Sequence, residues 1–328
     1  MTDRLRWGIL ATGGIARLFT ADLKLTGFDV RAVGSRSAAS ASAFAEEFGI
    51  PTAHDSYESL LADPEVDVVY VATPHPLHAE NAVAALEAGK HVLVEKPFAL
   101  NRAEAERIRA AAAANGRLAL EAMWSRYLPH MVRIRELIAS GALGEVRSLI
   151  ADHTQLLSDD PAHRINAPEL GGGALLDLGI YPVSFSWDLF GEPAVIRSSA
   201  VFKETGVDAQ VATIFEYAGG RTATTYSASD TQGPNRAAVI GTAARIEIDT
   251  VWYSPTTFRL IGPDDAVLET YVSDVEGRGM QYQAAAFEAL VAAGRLDGGE
   301  VLSIDETVGI MGTLDEVRAQ IGLRYPGE

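Results

Sequence analysis

The 328-residue chain contains no cysteine. That excludes disulfides, a thiolate metal site and a cysteine nucleophile, and it fits a reducing cytoplasm. Basic charge is also scarce: 27 Lys and Arg stand against 44 Asp and Glu, a formal net charge of -17. A broad basic surface for nucleic acid or an anionic membrane is therefore excluded, although a small local basic site is not. No window approaches 18 unbroken apolar residues, and Met1–Leu10 lacks the apolar core of a signal peptide. The expectation is a soluble, unexported, cytoplasmic protein with neither nucleic acid nor membrane as partner. Internal repeats, low-complexity linkers and long charge blocks are missing too, so two domains with an extensive shared interface are expected.

What is present is ordinary globular material, 48% hydrophobic and 22% charged, enough for two sizeable cores. Arg6–Leu10 reads as a strand running into Ala11, Thr12, Gly13, Gly14, Ile15 and Ala16, followed by a helical pattern through Leu18, Phe19 and Leu23. A strand, a glycine-rich turn and a helix start form the setting in which backbone N–H groups cradle a pyrophosphate. The fingerprint is degraded: Ala11 stands at the usual first glycine, with Gly13 and Ala16 at the second and third. A tight turn in another α/β unit is the alternative. The strand Asp29–Val33 then ends in Gly34, Ser35, Arg36 and Ser37. An NAD site usually carries a carboxylate here for the ribose 2′-hydroxyl. An arginine flanked by hydroxyls suits a 2′-phosphate instead, which points to NADP with NAD still possible. Alternatively, Arg36 lies on the first turn of the helix Ala38–Phe48.

Val66–Ala72 is the next apolar strand, ending in Thr73, Pro74, His75 and His78 before a helix over Ala79–Ala88. The two histidines have metal-like spacing but no third ligand, so no metal is expected, and capping or contact with a cofactor ribose is. His91–Val94 reads as an interior strand that delivers Glu95 and Lys96 to its carboxyl end, with Pro97 fixing the backbone just beyond. A solvated Lys-Pro turn is the bland alternative. The alanine-rich helix Ala103–Asn115 and the strand Leu118–Glu121 follow, and with these five strands read, six strands alternating with helices are expected. The fold class is therefore α/β, with a Rossmann dinucleotide-binding domain over residues 1–122.

Residues 123–328 read as an α+β domain for substrate binding and oligomerisation. A helix with Met131, Ile134, Leu137 and Ile138 on one face stops at Ser140–Gly141, and Val146–His153 is a strand. Gly171, Gly172 and Gly173 precede a helix to about Phe190, on which Asp177 and Tyr181, four apart, share a face. A polar pair there is either an active group or a satisfied core pair. From Val195 to Tyr271 the chain is β-rich, with a hairpin at Ala218–Gly220 and runs at Ala237–Ile240, Arg245–Ile248, Phe258–Ile261 and Val267–Tyr271. A large, mostly antiparallel open sheet follows, and an apolar open face would make it the contact of a homodimer or homotetramer. A helix over Gln281–Ala293 and a second from the capping box Ser303–Glu306 to Gln320 close the chain.

Taken together, Trp7–Gly13, Thr73–His78, Ala88–Pro97 and Gly171–Tyr181 resemble the Gfo/Idh/MocA family of NAD(P)-dependent oxidoreductases over nearly the whole chain. Glu121–Tyr127 and Asp177–Tyr181 look most like the branch holding the dimeric dihydrodiol and D-xylose dehydrogenases; many other relatives have histidine at Tyr181. The resemblance implies hydride transfer between nicotinamide C4 and a hydroxyl- or carbonyl-bearing carbon of a sugar, such as an aldopyranose, or of a cyclic trans-diol. It implies catalysis by Lys96, Asp177 and Tyr181. A free tyrosine, with a pKa of about 10, is a poor base at neutral pH, but a neighbouring ammonium and an oxidised nicotinamide favour the phenolate. Tyr181 is thus the general acid/base, Lys96 its electrostatic partner and Asp177 the orienting group, with Lys96 as base the competing assignment. For the cofactor the resemblance carries Ala11, Thr12, Gly13, Gly14 and Ile15 to the pyrophosphate, and Ser35 and Arg36 to the 2′-phosphate. It carries Thr73, Pro74, His75 and His78 to the ribose, Glu95, Lys96 and Glu121 to the nicotinamide side, and Arg126, Arg164 and Tyr282 to positions closing over the cofactor. A same-fold enzyme with tightly held nicotinamide, of glucose-fructose-oxidoreductase or glycosidase type, and a non-catalytic NADP sensor are the alternatives.

Overall fold

Runs of Val, Leu and Ala too apolar for a half-exposed sheet build the first unit of the computed structural model, which describes residues 4–328. Met1–Asp3, part of the stretch assessed for an export signal, lie outside the described residues. The strands are β1 (Arg6–Leu10), β2 (Asp29–Gly34), β3 (Thr52–His54), β4 (Val68–Val71), β5 (His91–Val94) and β6 (Ala119–Glu121). They pair in parallel in the order β3-β2-β1-β4-β5-β6, the doubly wound dinucleotide-binding order. Helices α1 (Gly14–Leu25), α2 (Ala38–Phe48), α3 (Tyr57–Leu61), α4 (His78–Glu87) and α5 (Arg102–Asn115) connect them. Gly49 and Gly116 end α2 and α5 in left-handed conformation, the helix stop that glycine adopts without strain.

The second unit starts at Ser125. It contains α6 (Pro129–Ala139), β7 (Val146–Thr154), α7 (Ile180–Phe190) and the strands β8 (Val195–Phe202), β9 (Asp208–Tyr217) and β10 (Arg221–Ala228). Four further strands follow: β11 (Ala237–Gly241), β12 (Arg245–Ile248), β13 (Phe258–Ile261) and β14 (Val267–Tyr271). The eight strands order as β14-β13-β12-β11-β7-β10-β9-β8, antiparallel except at β7–β10. One face is apolar and covered: α7 lays Phe185 on Trp252, stacked at 5.2 Å. Each such buried aromatic contributes about 2 kcal/mol or more.

The remainder does not stay in one domain. Glu276–Val308 belongs to the first unit, where the boundary at residue 122 had assigned it to the second domain. The cause lies in α8 (Gln281–Ala292). Its Phe287 packs on the buried Trp7 ring at 5.6 Å, and Glu288 accepts the Trp7 indole N–H at 3.0 Å. Asp22 of α1, itself buried, accepts the Arg278 and Met280 amides ahead of α8. Helix α9 (Ile304–Ile321) starts as its capping box predicts, with Ser303 Oγ accepting the Glu306 amide at 3.1 Å.

Candidate active site

Strand register decides what stands at the carboxyl edge of the parallel sheet. Leu10 is level with Gly34 and Val71, Val71 with Val94, and Val94 with Glu121. The glycine turn, Ser35–Arg36, Thr73 and Glu95–Lys96 therefore emerge along one edge, around the β1/β4 switch point where ligands of open α/β sheets bind. Ala11 has φ 84°, a left-handed conformation that explains why a glycine usually stands there. Holding alanine in it costs about 1 kcal/mol or more. Gly13 is the N-cap of α1 and supplies no side-chain acceptor. Gly13 and Gly14 are exposed, and nothing lies within 4 Å of where a Cβ would stand. The leading amides of α1 thus face open space with the helix dipole behind them, a cradle that fits a pyrophosphate.

Beside it, Ser37 caps α2 by accepting the Ser40 amide at 3.3 Å, and Ser35 Oγ accepts the Ser37 amide at 3.3 Å. Arg36 precedes the cap rather than lying on the first turn, and is exposed. It also hydrogen-bonds Tyr57, whose hydroxyl pKa is raised by burial against the opposing pull of that guanidinium.

The Lys96 turn is gripped at three consecutive residues. Glu95 Oε2 accepts the Lys96 amide at 3.2 Å, and its Oε1 accepts the Tyr70 hydroxyl. His78 Nδ1 lies 2.8 Å from the Pro97 carbonyl. Glu121 Oε1 accepts the Phe98 amide at 3.1 Å. Lys96 is half-buried, whereas Glu95, Glu121 and His78 are 4%, 1% and 0% exposed. His78 also sets Nε2 2.8 Å from the Thr73 carbonyl. Contact of His78 with a ribose is therefore corrected: its ring is enclosed and ties the Thr73 loop to the Lys96 turn. His75 packs edge-on against it, 5.6 Å between centroids, leaving Pro74 exposed.

In the second unit the helix carrying Asp177 and Tyr181 opens with a π turn, Leu175–Gly179, before α7. Such wide turns interrupt α-helices at functional sites more than elsewhere. Asp177 and Tyr181 are 5% and 6% exposed. Asp177 Oδ2 accepts from Arg164 at 3.0 Å. Tyr181 packs edge-on to His153 at 4.9 Å and against Tyr253 at 5.2 Å, while His153 and Tyr253 stack at 3.7 Å. Neither His153 nor Tyr253 was a sequence candidate. The alternation Leu149, Ala151, His153 along β7 carried the signal for the first; Tyr253, in a connection, offered none.

Arg126 and Tyr282 are the remaining candidates. Arg126, 2% exposed, pairs with Asp188 at 3.2 Å and donates to the Ser184 hydroxyl and carbonyl. It cannot close over a ligand from there, because its guanidinium is enclosed in the second unit. Tyr282 stands at the start of α8 next to Met280, whose amide Asp22 accepts. Among the described residues no group of three or more His, Asp or Glu is placed to hold a metal, and no helix is long and apolar enough to cross a membrane.

Comparison with known proteins agrees with this architecture. An oxidoreductase family with an NAD-binding Rossmann fold matches residues 5–122, and the Gfo/Idh/MocA C-terminal domain matches residues 131–247. The trans-1,2-dihydrobenzene-1,2-diol dehydrogenase of Mus musculus is 37% identical over 331 residues, 98% of each chain. The D-xylose 1-dehydrogenase (NADP(+)) of Hypocrea jecorina is 35% identical, over 98% of this chain and 93% of that one. A solved 3-ketoreductase from Actinomadura kijaniata, in complex with NADP and TDP-benzene, is 27% identical with a TM-score of 0.83, over 97% of this chain and 98% of that one. The chain therefore belongs to the Gfo/Idh/MocA family, as an oxidoreductase with an NAD-binding Rossmann domain joined to that family's C-terminal domain.

Proposed function

We propose that the protein is an NADP-dependent dehydrogenase that moves hydride between nicotinamide C4 and a hydroxyl- or carbonyl-bearing carbon of a sugar, such as an aldopyranose, or of a cyclic trans-diol. The observation that carries this reading is the shared edge of the parallel sheet, where the glycine turn, Arg36 and Lys96 emerge at one level. Similarity to dihydrodiol dehydrogenases and to a D-xylose dehydrogenase named for NADP supports the substrate class and the cofactor. When bound, the nicotinamide supplies the hydride acceptor. The α1 amides hold the pyrophosphate, and Ser35 with Arg36 takes the 2′-phosphate. Tyr181 removes the substrate hydroxyl proton as hydride leaves, Lys96 stabilises the negative charge that develops on that oxygen, and Asp177 orients substrate or lysine. The cytoplasm is its place of action in this reading. A screen of pentoses, hexoses and dihydrodiols with NADP and with NAD, followed as nicotinamide absorbance, tests it. Turnover of a sugar or diol with NADP preferred is expected; inertness toward all three classes overturns it.

The same reading makes the protein a homodimer or homotetramer through the open sheet face. Thr224 pairs with Ile150 on one side and Ile214 on the other, which aligns two isoleucines that are 53% and 47% exposed. Ile150→Glu is expected to shift the sedimenting species toward monomer; an unchanged species moves the contact elsewhere.

A further inference from the structure

We propose that His78 is held as an imidazolium, and that with the buried carboxylates of Glu95 and Glu121 it forms a charge-balanced clamp that positions Lys96. The three side chains act on three successive residues of one turn: Glu95 on the Lys96 amide, His78 on the Pro97 carbonyl and Glu121 on the Phe98 amide. Each amide needs an acceptor, and one oxygen of each glutamate supplies it. Tyr70 and Thr307 hydroxyls point at their other oxygens. The ionised carboxylate accepts at both oxygens, and the proposal takes both glutamates as anions.

His78 meets the opposite demand. Its two ring nitrogens each stand 2.8 Å from a carbonyl oxygen, Pro97 and Thr73, and a carbonyl can only accept. A neutral imidazole has one N–H to give. Its second nitrogen would then press a lone pair against a carbonyl lone pair at hydrogen-bond distance, inside a site with no solvent exposure. The imidazolium has two donors and removes that conflict.

Burial pushes the other way, lowering the His78 pKa, and the Lys96 charge adds to it while the two carbonyls oppose it. Desolvation is severe when the buried charge loses water without replacement. Here two carbonyl dipoles take the place of water on both nitrogens. The charged and titratable groups around the ring are His75 on the same segment, with rings 5.6 Å apart, and Lys96 on the facing turn. Glu95 and Glu121 grip that turn on either side. With both glutamates ionised, the two carboxylates, Lys96 and His78 sum to zero, whereas a neutral His78 leaves one negative charge in excess. The catalytic consequence rests on the proposed role of Lys96; the protonation state does not.

The test is nitrogen-15 NMR of the full chain with labelled histidine at pH 7, with His78 assigned by through-bond correlation to its backbone. Two protonated ring nitrogens and two slowly exchanging N–H protons are expected. One protonated and one bare nitrogen overturns the imidazolium whatever the enzyme turns over. For the positioning role, His78→Gln keeps a donor to one carbonyl only. Its kcat should fall by about tenfold or more, with KM for NADP near the wild-type value, since misplacement of a catalytic group acts on the chemical step. Wild-type kcat in a folded variant removes the clamp from catalysis. A wild-type enzyme inert toward every sugar and diol sinks the dehydrogenase reading and leaves the NMR result standing.

Discussion

The Asp208 carboxylate, at the start of β9, accepts the Leu175 amide at 2.6 Å, and so caps the helix that carries Asp177 and Tyr181. Asp208 is fully enclosed, and burial pushes its pKa from 3.8 up to about 6 against the pull of backbone amides. The folded state therefore holds this proton more tightly than the unfolded chain does. Its contribution to stability is complete below about pH 4 and is lost as pH rises through about 6, a loss of about 3 kcal/mol. Asp208→Asn keeps an acceptor for Leu175 and has no charge to bury. The difference in Tm, variant minus wild type, should rise between pH 5 and pH 7.5; a flat difference would mean that Asp208 does not titrate in that range.

Gly172 gives a steric prediction for the same loop. A Cβ there would stand 2.8 Å from both the Arg164 and Ile165 carbonyl oxygens, and backbone cannot swing aside as a long side chain can. Gly172→Ala should lose about 2 kcal/mol of stability, the scale of overpacking, and displace Arg164, the partner of Asp177. The denaturation midpoint checks it, and an unshifted midpoint would show that the loop yields.

Such contacts mark the boundary of what the sequence makes legible. Buried parallel strands announce themselves because both faces are apolar, as in Val68–Val71 and His91–Val94. The three residues of β3 have an exposed, exposed, half-buried pattern and are held by pairing with Ala32–Gly34 and by the His54–Asp63 contact at 2.9 Å. Helix α8 shows its period plainly, yet nothing in that period says that Phe287 meets Trp7 rather than the nearer sheet. The apolar runs His91–Val94 and Val66–Ala72 mark Lys96 as a strand-end lysine and His78 as a histidine in the segment after a strand. That both His78 nitrogens face carbonyls depends on two loops meeting, which no local pattern encodes.

Arg36 tests the cofactor. Its guanidinium stands beside the amino end of α2, exposed, with Tyr57 as its hydrogen-bonded neighbour. A doubly charged 2′-phosphate gains charge-assisted bonds there that a 2′-hydroxyl does not. Arg36→Ala should raise Kd for NADP by about 10- to 100-fold, matching the removal of hydrogen bonds to a charged group, while Kd for NAD moves little. Equal losses for both dinucleotides in a fluorescence titration would contradict the 2′-phosphate role.

Tyr181→Phe separates the hydroxyl from the ring. The ring packs on His153 and Tyr253, at 4.9 and 5.2 Å, and phenylalanine preserves those contacts, so the variant should fold and keep its stability within about 1 kcal/mol. What disappears is one proton-transfer group. Loss of a general acid/base lowers turnover by about 10²-fold or more, and because dinucleotide recognition is assigned to residues of the first unit, Kd for NADP should stay near the wild-type value. Both kcat and kcat/KM should fall together, the signature of an interaction made in the transition state. A near-normal kcat would take the proton from Tyr181 and give it to Lys96, whose own replacement by methionine would then have to abolish turnover.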